Sequence, residues 1–208
     1  MSCQMELSLN GHMCTGGSEG AKLCVVEISV MLALGRGIKG RYALSREVGL
    51  GEGVIRGVYR RLREHGLIEV FRGGSRLTPK GFNTLRDTLS TLGILEMHVL
   101  EEEVVWGEKL RGVVAALKEE VRDVVKARDA IVRAGAKAAL IVKKSCAGNF
   151  YLPLVESYDL RREMPKLYNV LSAMPSTAKT YVVAYADRLF PCIKGVLEVS
   201  ALARKGLL

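Results

Sequence analysis

The spacing of apolar positions changes several times along the chain, and each change marks an element. Lys22–Leu34 carries Val25, Ile28 and Leu32 on one side and predicts a helix ended by Gly35. Ile38–Tyr42 predicts a short strand. Ala43–Gly49 sets Leu44 and Val48 at i, i+4, a short helix whose last residue, Gly49, supplies a left-handed turn. Gly51–Gly66 is the most two-sided stretch. Stepping 100° per residue, Arg60 falls about 40° from Arg56 and Arg63 about 20° the other way, while Val54, Val58 and Leu62 gather opposite. One side is apolar and suited to docking; the other is a stripe of arginines.

Leu67–Phe71 then alternates as a strand, Gly73-Gly74 reads as a hairpin turn, and Arg76–Thr78 as the returning strand. Thr78-Pro79 has the form of an N-cap followed by proline at the first helical position. The helix it opens, Pro79–Leu92, places Phe82, Leu85, Leu89 and Leu92 on one stripe and suits either packing on its own domain or pairing with its twin in a dimer. From Glu96 the pattern becomes mixed. His98–Trp106, Gly112–Leu117, Ala138–Val142, Phe150–Leu154 and Thr180–Ala186 read as strands. Val121–Ala134, Asp159–Met174 (interrupted at Pro165) and Arg188–Lys205 read as helices. Strand pairs and helices in this order predict an α+β sandwich with helices on one face of a sheet. The chain thus divides into a flexible leader (1–21), a first domain with a linker helix (22–93) and an α+β domain (96–208).

Charge sharpens this picture. Of the formal net charge of +9, the segment from Arg36 to Lys80 holds +7, from 11 Lys/Arg against 4 Asp/Glu. The rest of the chain is close to neutral. Such concentration is the electrostatic footprint expected for a polyanionic partner.

Three ordered motifs carry a resemblance. They are Leu44-Ser-Arg-Glu-Val-Gly-Leu, then Val54-Ile-Arg-Gly-Val-Tyr-Arg-Arg-Leu-Arg-Glu-His-Gly-Leu-Ile-Glu-Val, then Arg76-Leu-Thr-Pro-Lys-Gly. Together they resemble winged helix-turn-helix transcriptional regulators of bacteria and archaea. With Arg128-Asp-Ala-Ile-Val-Arg-Ala-Gly-Ala-Lys-Ala-Ala, the chain more narrowly resembles an archaeal two-domain family, in which the winged helix precedes an uncharacterised α+β domain. The resemblance implies a recognition helix at 51–66 in the DNA major groove and a wing at 72–76 on the flanking backbone. Arg56 is then the expected base reader, with Glu52 a candidate acceptor from a cytosine amine and Tyr59 either touching the backbone or covering the helix surface. Arg46, Arg60, Arg63, Arg72 and Arg76 are the expected phosphate contacts. The expected partners are double-stranded DNA and a second copy of the chain, with a small-molecule effector as a further candidate for 96–208.

Other chemistry finds little support. Gly51-x-Gly-x-x-x-Gly57 follows a helix rather than the buried strand that a dinucleotide loop requires. The five cysteines and three histidines show no metal-ligand spacing, and no cofactor is expected. Cys146 lies beside Lys143 and Lys144 but has no histidine nearby in sequence, and reads as a free thiol. No apolar run reaches membrane-spanning length and the N-terminus has no secretory pattern, so a cytoplasmic protein is expected. Two other function classes remain open: a winged helix contacting protein or RNA, and an enzyme whose site lies in 96–208.

Overall fold

The computed structural model describes residues 23–208 except Trp106, Cys146 and Glu156. The expected leader and the Cys146 turn therefore lie outside the described residues. The chain runs α1 (Val25–Leu34), α2 (Arg41–Val48), α3 (Glu52–Glu64), β1 (Ile68–Phe71), β2 (Gly74–Leu77) and α4 (Pro79–Thr91). It continues with β3 (Ile94–Val99), β4 (Glu103–Val105), β5 (Glu108–Leu117), α5 (Val124–Arg133), β6 (Ala138–Lys144) and β7 (Phe150–Tyr151). Last come α6 (Leu160–Glu163), α7 (Pro165–Ala173), β8 (Thr180–Ala186) and α8 (Leu189–Arg204). The protein is α+β with antiparallel sheets. Among the described residues no helix is long and apolar enough to cross a membrane.

α1 is buried along its whole length from Glu27 to Leu34 rather than on one side. The reason is its position: α2, α3, α4 and β2 pack on it from the first half of the chain, and α8 and β3 from the second. One hydrophobic cluster consequently runs from Ile28 and Leu62 through Leu117 and Ile131 to Val196. The seam is also hydrogen-bonded, since Ser200 Oγ donates to the Leu92 carbonyl at 2.6 Å and Arg204 Nη1 to the Thr91 carbonyl at 2.6 Å.

β1 and β2 form a hairpin in which Phe71 faces Gly74, leaving Arg72-Gly73 at the tip. The expected strand over Ile38–Tyr42 is absent. Only Lys39 pairs with the hairpin, exchanging both backbone hydrogen bonds with Ser75 at 3.0 and 2.9 Å. Arg41 and Tyr42 already belong to α2, because Gly40 serves as its N-cap. Gly49 ends α2 at φ 84°, as its position predicts.

The segment after the hairpin is tightly determined. Thr78 accepts from the Gly81 amide at 3.0 Å, capping α4, and donates to the Gly66 carbonyl at 2.7 Å. Gly81 has no room for a side chain: an added Cβ would stand 2.1 Å from the Leu67 carbonyl oxygen.

In the second half, the main sheet has the order β3-β5-β8-β6-β7, with β4 paired to the start of β5. β8 is central and buried at every residue. Helices cover both faces, not one. α5 and α8 close the side that continues into the first half of the chain. On the other side Leu160 of α6 and Leu167 and Leu171 of α7 pack with Tyr181, Val183 and Tyr185 of β8. The strand-like alternation of β8 is masked in sequence because both of its faces are apolar.

Unfolding in urea, followed by circular dichroism, is expected to be one cooperative transition, because the two halves share a core. Ile28→Ala should lower the stability of the whole transition by about 2–5 kcal/mol. A first half that melts separately would contradict the shared core. Gly81→Ala should destabilise by about 1–3 kcal/mol through the clash with Leu67, measured in the same experiment.

Candidate nucleic-acid interface

α3 turns Ile55, Val58, Tyr59 and Leu62 into the core, an i, i+3, i+4, i+7 stripe. Val54, expected to face inward, is 48% exposed. Round the helix Val54 lies about 80° from Leu62 and Ile55 about 20°, so Ile55 takes the buried position. The rotation leaves the opposite side to Arg56 and Arg60, with Arg63 and Glu52 on its flank, all four exposed. The three arginines lie about 100–160° from Leu62.

Tyr59, a candidate to reach a nucleic-acid backbone, is only 8% exposed. Its hydroxyl donates to the Lys39 carbonyl at 3.1 Å. Burial pushes its pKa above the ordinary phenol value, so it stays a donor. Since Lys39 in turn pairs with Ser75, Tyr59 fixes the hairpin relative to α3. Its role is to position the surface, not to form it.

Three acidic groups of this region are used internally. Glu27 accepts from the Cys24 amide at 3.0 Å and from Arg61 Nε at 2.7 Å. Glu47, largely buried, is held by Lys39 and lies 3.6 Å from Arg36. Glu69 pairs across the hairpin with Arg76, whose guanidinium also lies 4.9 Å from the centre of the Phe71 ring. Arg76 is therefore exposed but partly neutralised. Arg72 at the hairpin tip is exposed, and so is Arg46 on α2, whose guanidinium lies 5.8 Å from the centre of the Tyr42 ring. Among the described residues, Arg41, Arg46, Arg56, Arg60, Arg63 and Arg72 have no acidic partner within ion-pair distance.

Sequence reading missed Arg41, because it was assigned to a strand that does not form; Gly40 as an N-cap was the available signal. The structure brings Glu52, Arg56, Arg60 and Arg63 onto one exposed helix face, with Arg46 on the helix packed against it. Arg72 and Arg76 belong to the hairpin, which follows α3 directly and packs on it.

Two of the remaining titratable groups are buried. Cys192 is buried, and burial pushes its thiol up to about 12. Tyr185, also buried, donates to Glu103 at 3.0 Å; burial and the adjacent carboxylate raise its pKa. Among the described residues no cluster of three or more His, Cys, Asp or Glu side chains is placed to hold a metal.

No protein-family model matches the chain, and no curated protein does. Among solved structures, a hypothetical protein from Pyrococcus horikoshii OT3 is similar, with a TM-score of 0.65 over 89% of this chain and 96% of that one. The two are 20% identical, so the likeness speaks to the fold alone.

Tyr59→Phe should lower stability by about 0.5–1.5 kcal/mol, the contribution of one hydrogen bond, in a urea titration. The exposed arginines are untouched by it, so retention on a heparin column should not change. A variant as stable as wild type would remove the hydroxyl from the account of how the hairpin is held.

Proposed function

We propose that the first half of the chain is a winged helix-turn-helix and that the protein is a sequence-specific DNA-binding regulator of transcription. One observation carries the reading. The helix after the α2–α3 turn is docked by four buried side chains and presents Arg56, Arg60 and Arg63 outward without acidic partners.

An α-helix fits the major groove of B-DNA when it projects from its domain in this way. Arg56, in the first half of α3, then reaches a guanine edge, where a guanidinium makes two hydrogen bonds to O6 and N7. Glu52, one turn earlier, accepts from a cytosine amine. Arg60 and Arg63 meet phosphates, as do Arg46 on α2 and Arg72 at the hairpin tip. Arg41 at the start of α2 joins this set. Arg76 contributes least, because Glu69 already holds it.

The experiment compares duplexes from beside the protein's own gene with random duplex across a salt series. Wild type should prefer the former. Arg56→Ala should weaken binding to the preferred site by about 1–3 kcal/mol, roughly five- to 150-fold, and relax base preference. Arg60→Ala should weaken binding to all duplexes alike and reduce the salt slope by about one. Absence of binding to any duplex would overturn the reading.

A further inference from the structure

The β1–β2 hairpin carries less charge than a brace on the phosphate backbone needs. Its one acid, Glu69, holds Arg76, so of its two arginines Arg72 alone has no acidic partner within ion-pair distance among the described residues. Opposite residues of an antiparallel pair share a face, and the faces alternate along each strand. One face, with Ile68, Ser75 and Leu77, is buried in the core. The other carries Glu69, Arg76 and, next to the tip, Phe71. Gripping a row of phosphates takes cations, and a carboxylate on the same face opposes it.

What the tip offers instead is an apolar ring. Phe71 is 42% exposed, although the Arg76 guanidinium stands near it. The surface around it is bare. Gly74 lies opposite it in the register, Gly73 occupies the turn, and Gly40 follows Lys39, the residue that pairs with Ser75. A Cβ added at Gly73 or Gly40 would meet no atom within 4 Å. The ring is therefore an apolar projection beside backbone that carries no side chains.

The projection is also held in place. At Gly74 an added Cβ would stand 2.6 Å from the Lys39 carbonyl carbon, so the hairpin is pressed against that segment. Lys39 exchanges hydrogen bonds with Ser75, and Tyr59 of α3 donates to its carbonyl. The four residues of β1 reach about 13 Å. That is of the order of the half turn, about 17 Å, between a major groove and the next minor groove.

We infer that Phe71 is a minor-groove wedge: with α3 in the major groove, the hairpin tip enters the adjacent minor groove, and the ring inserts at a base step and kinks the duplex. This rests on the DNA-binding reading above and adds to it a groove, a distortion and a mode of sequence readout. Sugars and base faces give an apolar ring contacts that phosphates, which lose hydration beside it, do not. Glu69, two residues back along β1, stays about 7 Å from Phe71 and outside the groove. Wedges of this kind kink DNA by about 20–90° toward the major groove, which here closes the duplex around α3. Arg72 then meets a phosphate at the rim of the groove. Pyrimidine–purine steps unstack most easily, so a TA or CA step under the tip is favoured without any hydrogen bond to it.

The test is energy transfer between dyes at the two ends of a duplex of about 30 base pairs, taken from beside the protein's own gene and saturated with the full chain. Wild type should draw the ends together by a bend of about 20–90°. Phe71→Ala should still bind, with an unchanged salt slope, and leave the duplex unbent. Phe71→Leu, which keeps an apolar wedge, should keep the bend. Arg72→Ala should show the converse, a salt slope lower by about one with the bend intact. Replacing each TA or CA step in turn by AA should weaken wild-type binding at least about fivefold at one position, to which Phe71→Ala is indifferent. Phe71 is exposed, and unchanged circular dichroism and melting temperature would show that its variants fold. A duplex that wild type binds but leaves straight, or one that Phe71→Ala bends equally, would overturn the wedge and leave the DNA-binding reading standing. Absence of binding to any duplex would overturn both.

Discussion

The structure depends on one helix that cannot stand at a surface. From Glu27 to Leu34 every residue of α1 is buried, so the chain must be wrapped around it on all sides. α2, α3 and α4 supply one part of that wrapping and α8 the other. The only carboxylate in the helix, Glu27, is committed twice, to the Cys24 amide that begins α1 and to Arg61 on α3. A buried carboxylate is tolerated only with such partners, so its needs constrain its neighbours. Arg61 is drawn inward to meet it. With Ile55, Val58, Tyr59 and Leu62 also turned in, α3 has one rotation that satisfies all of them. The remaining arginines face outward as a consequence.

The same helix ties the exposed basic face to the sheet. α8 packs on α1, α5 and β8, and its Ser200 and Arg204 hold the end of α4. α8 and α3 are thus joined through α1 by direct packing. Close-packed interiors respond to displacements by repacking rather than by continuous bending.

Much of the fold was legible in the sequence where a single residue type dictates local geometry. Gly49, Thr78-Pro79 and Pro165 each marked an element boundary that the structure shows. β8 was legible to the residue because a continuous apolar run bounded by polar residues admits few registers. Periodicity alone fixed the rotation of α3 only to within one residue, which is why Val54 and Ile55 exchanged roles. The choice left open for Tyr59 was beyond periodicity for a different reason. Its partner is the Lys39 carbonyl, whose position depends on pairing with Ser75, far along the chain. The helices on the second face of the sheet were equally out of reach, since the apolar residues of α7 do not say which face they cover.

How charge is distributed was legible, but how it is used was not. A basic segment can be solvated harmlessly if its acids are spread among its bases. In this chain Glu27, Glu47 and Glu69 are each consumed by a pair that holds two elements together. Arg36, Lys39, Arg61 and Arg76 are the bases they take. What remains is a set of arginines on α2, α3 and the hairpin tip that have no carboxylate within ion-pair distance among the described residues. Like charges on neighbouring helical turns lie within the screening length of about 8 Å at physiological salt, so they repel one another in the free protein. The fold accepts that repulsion while spending three of its acids elsewhere and keeping only Glu52 and Glu64 exposed on α3, and a polyanion laid across α3 is the kind of partner that would relieve it.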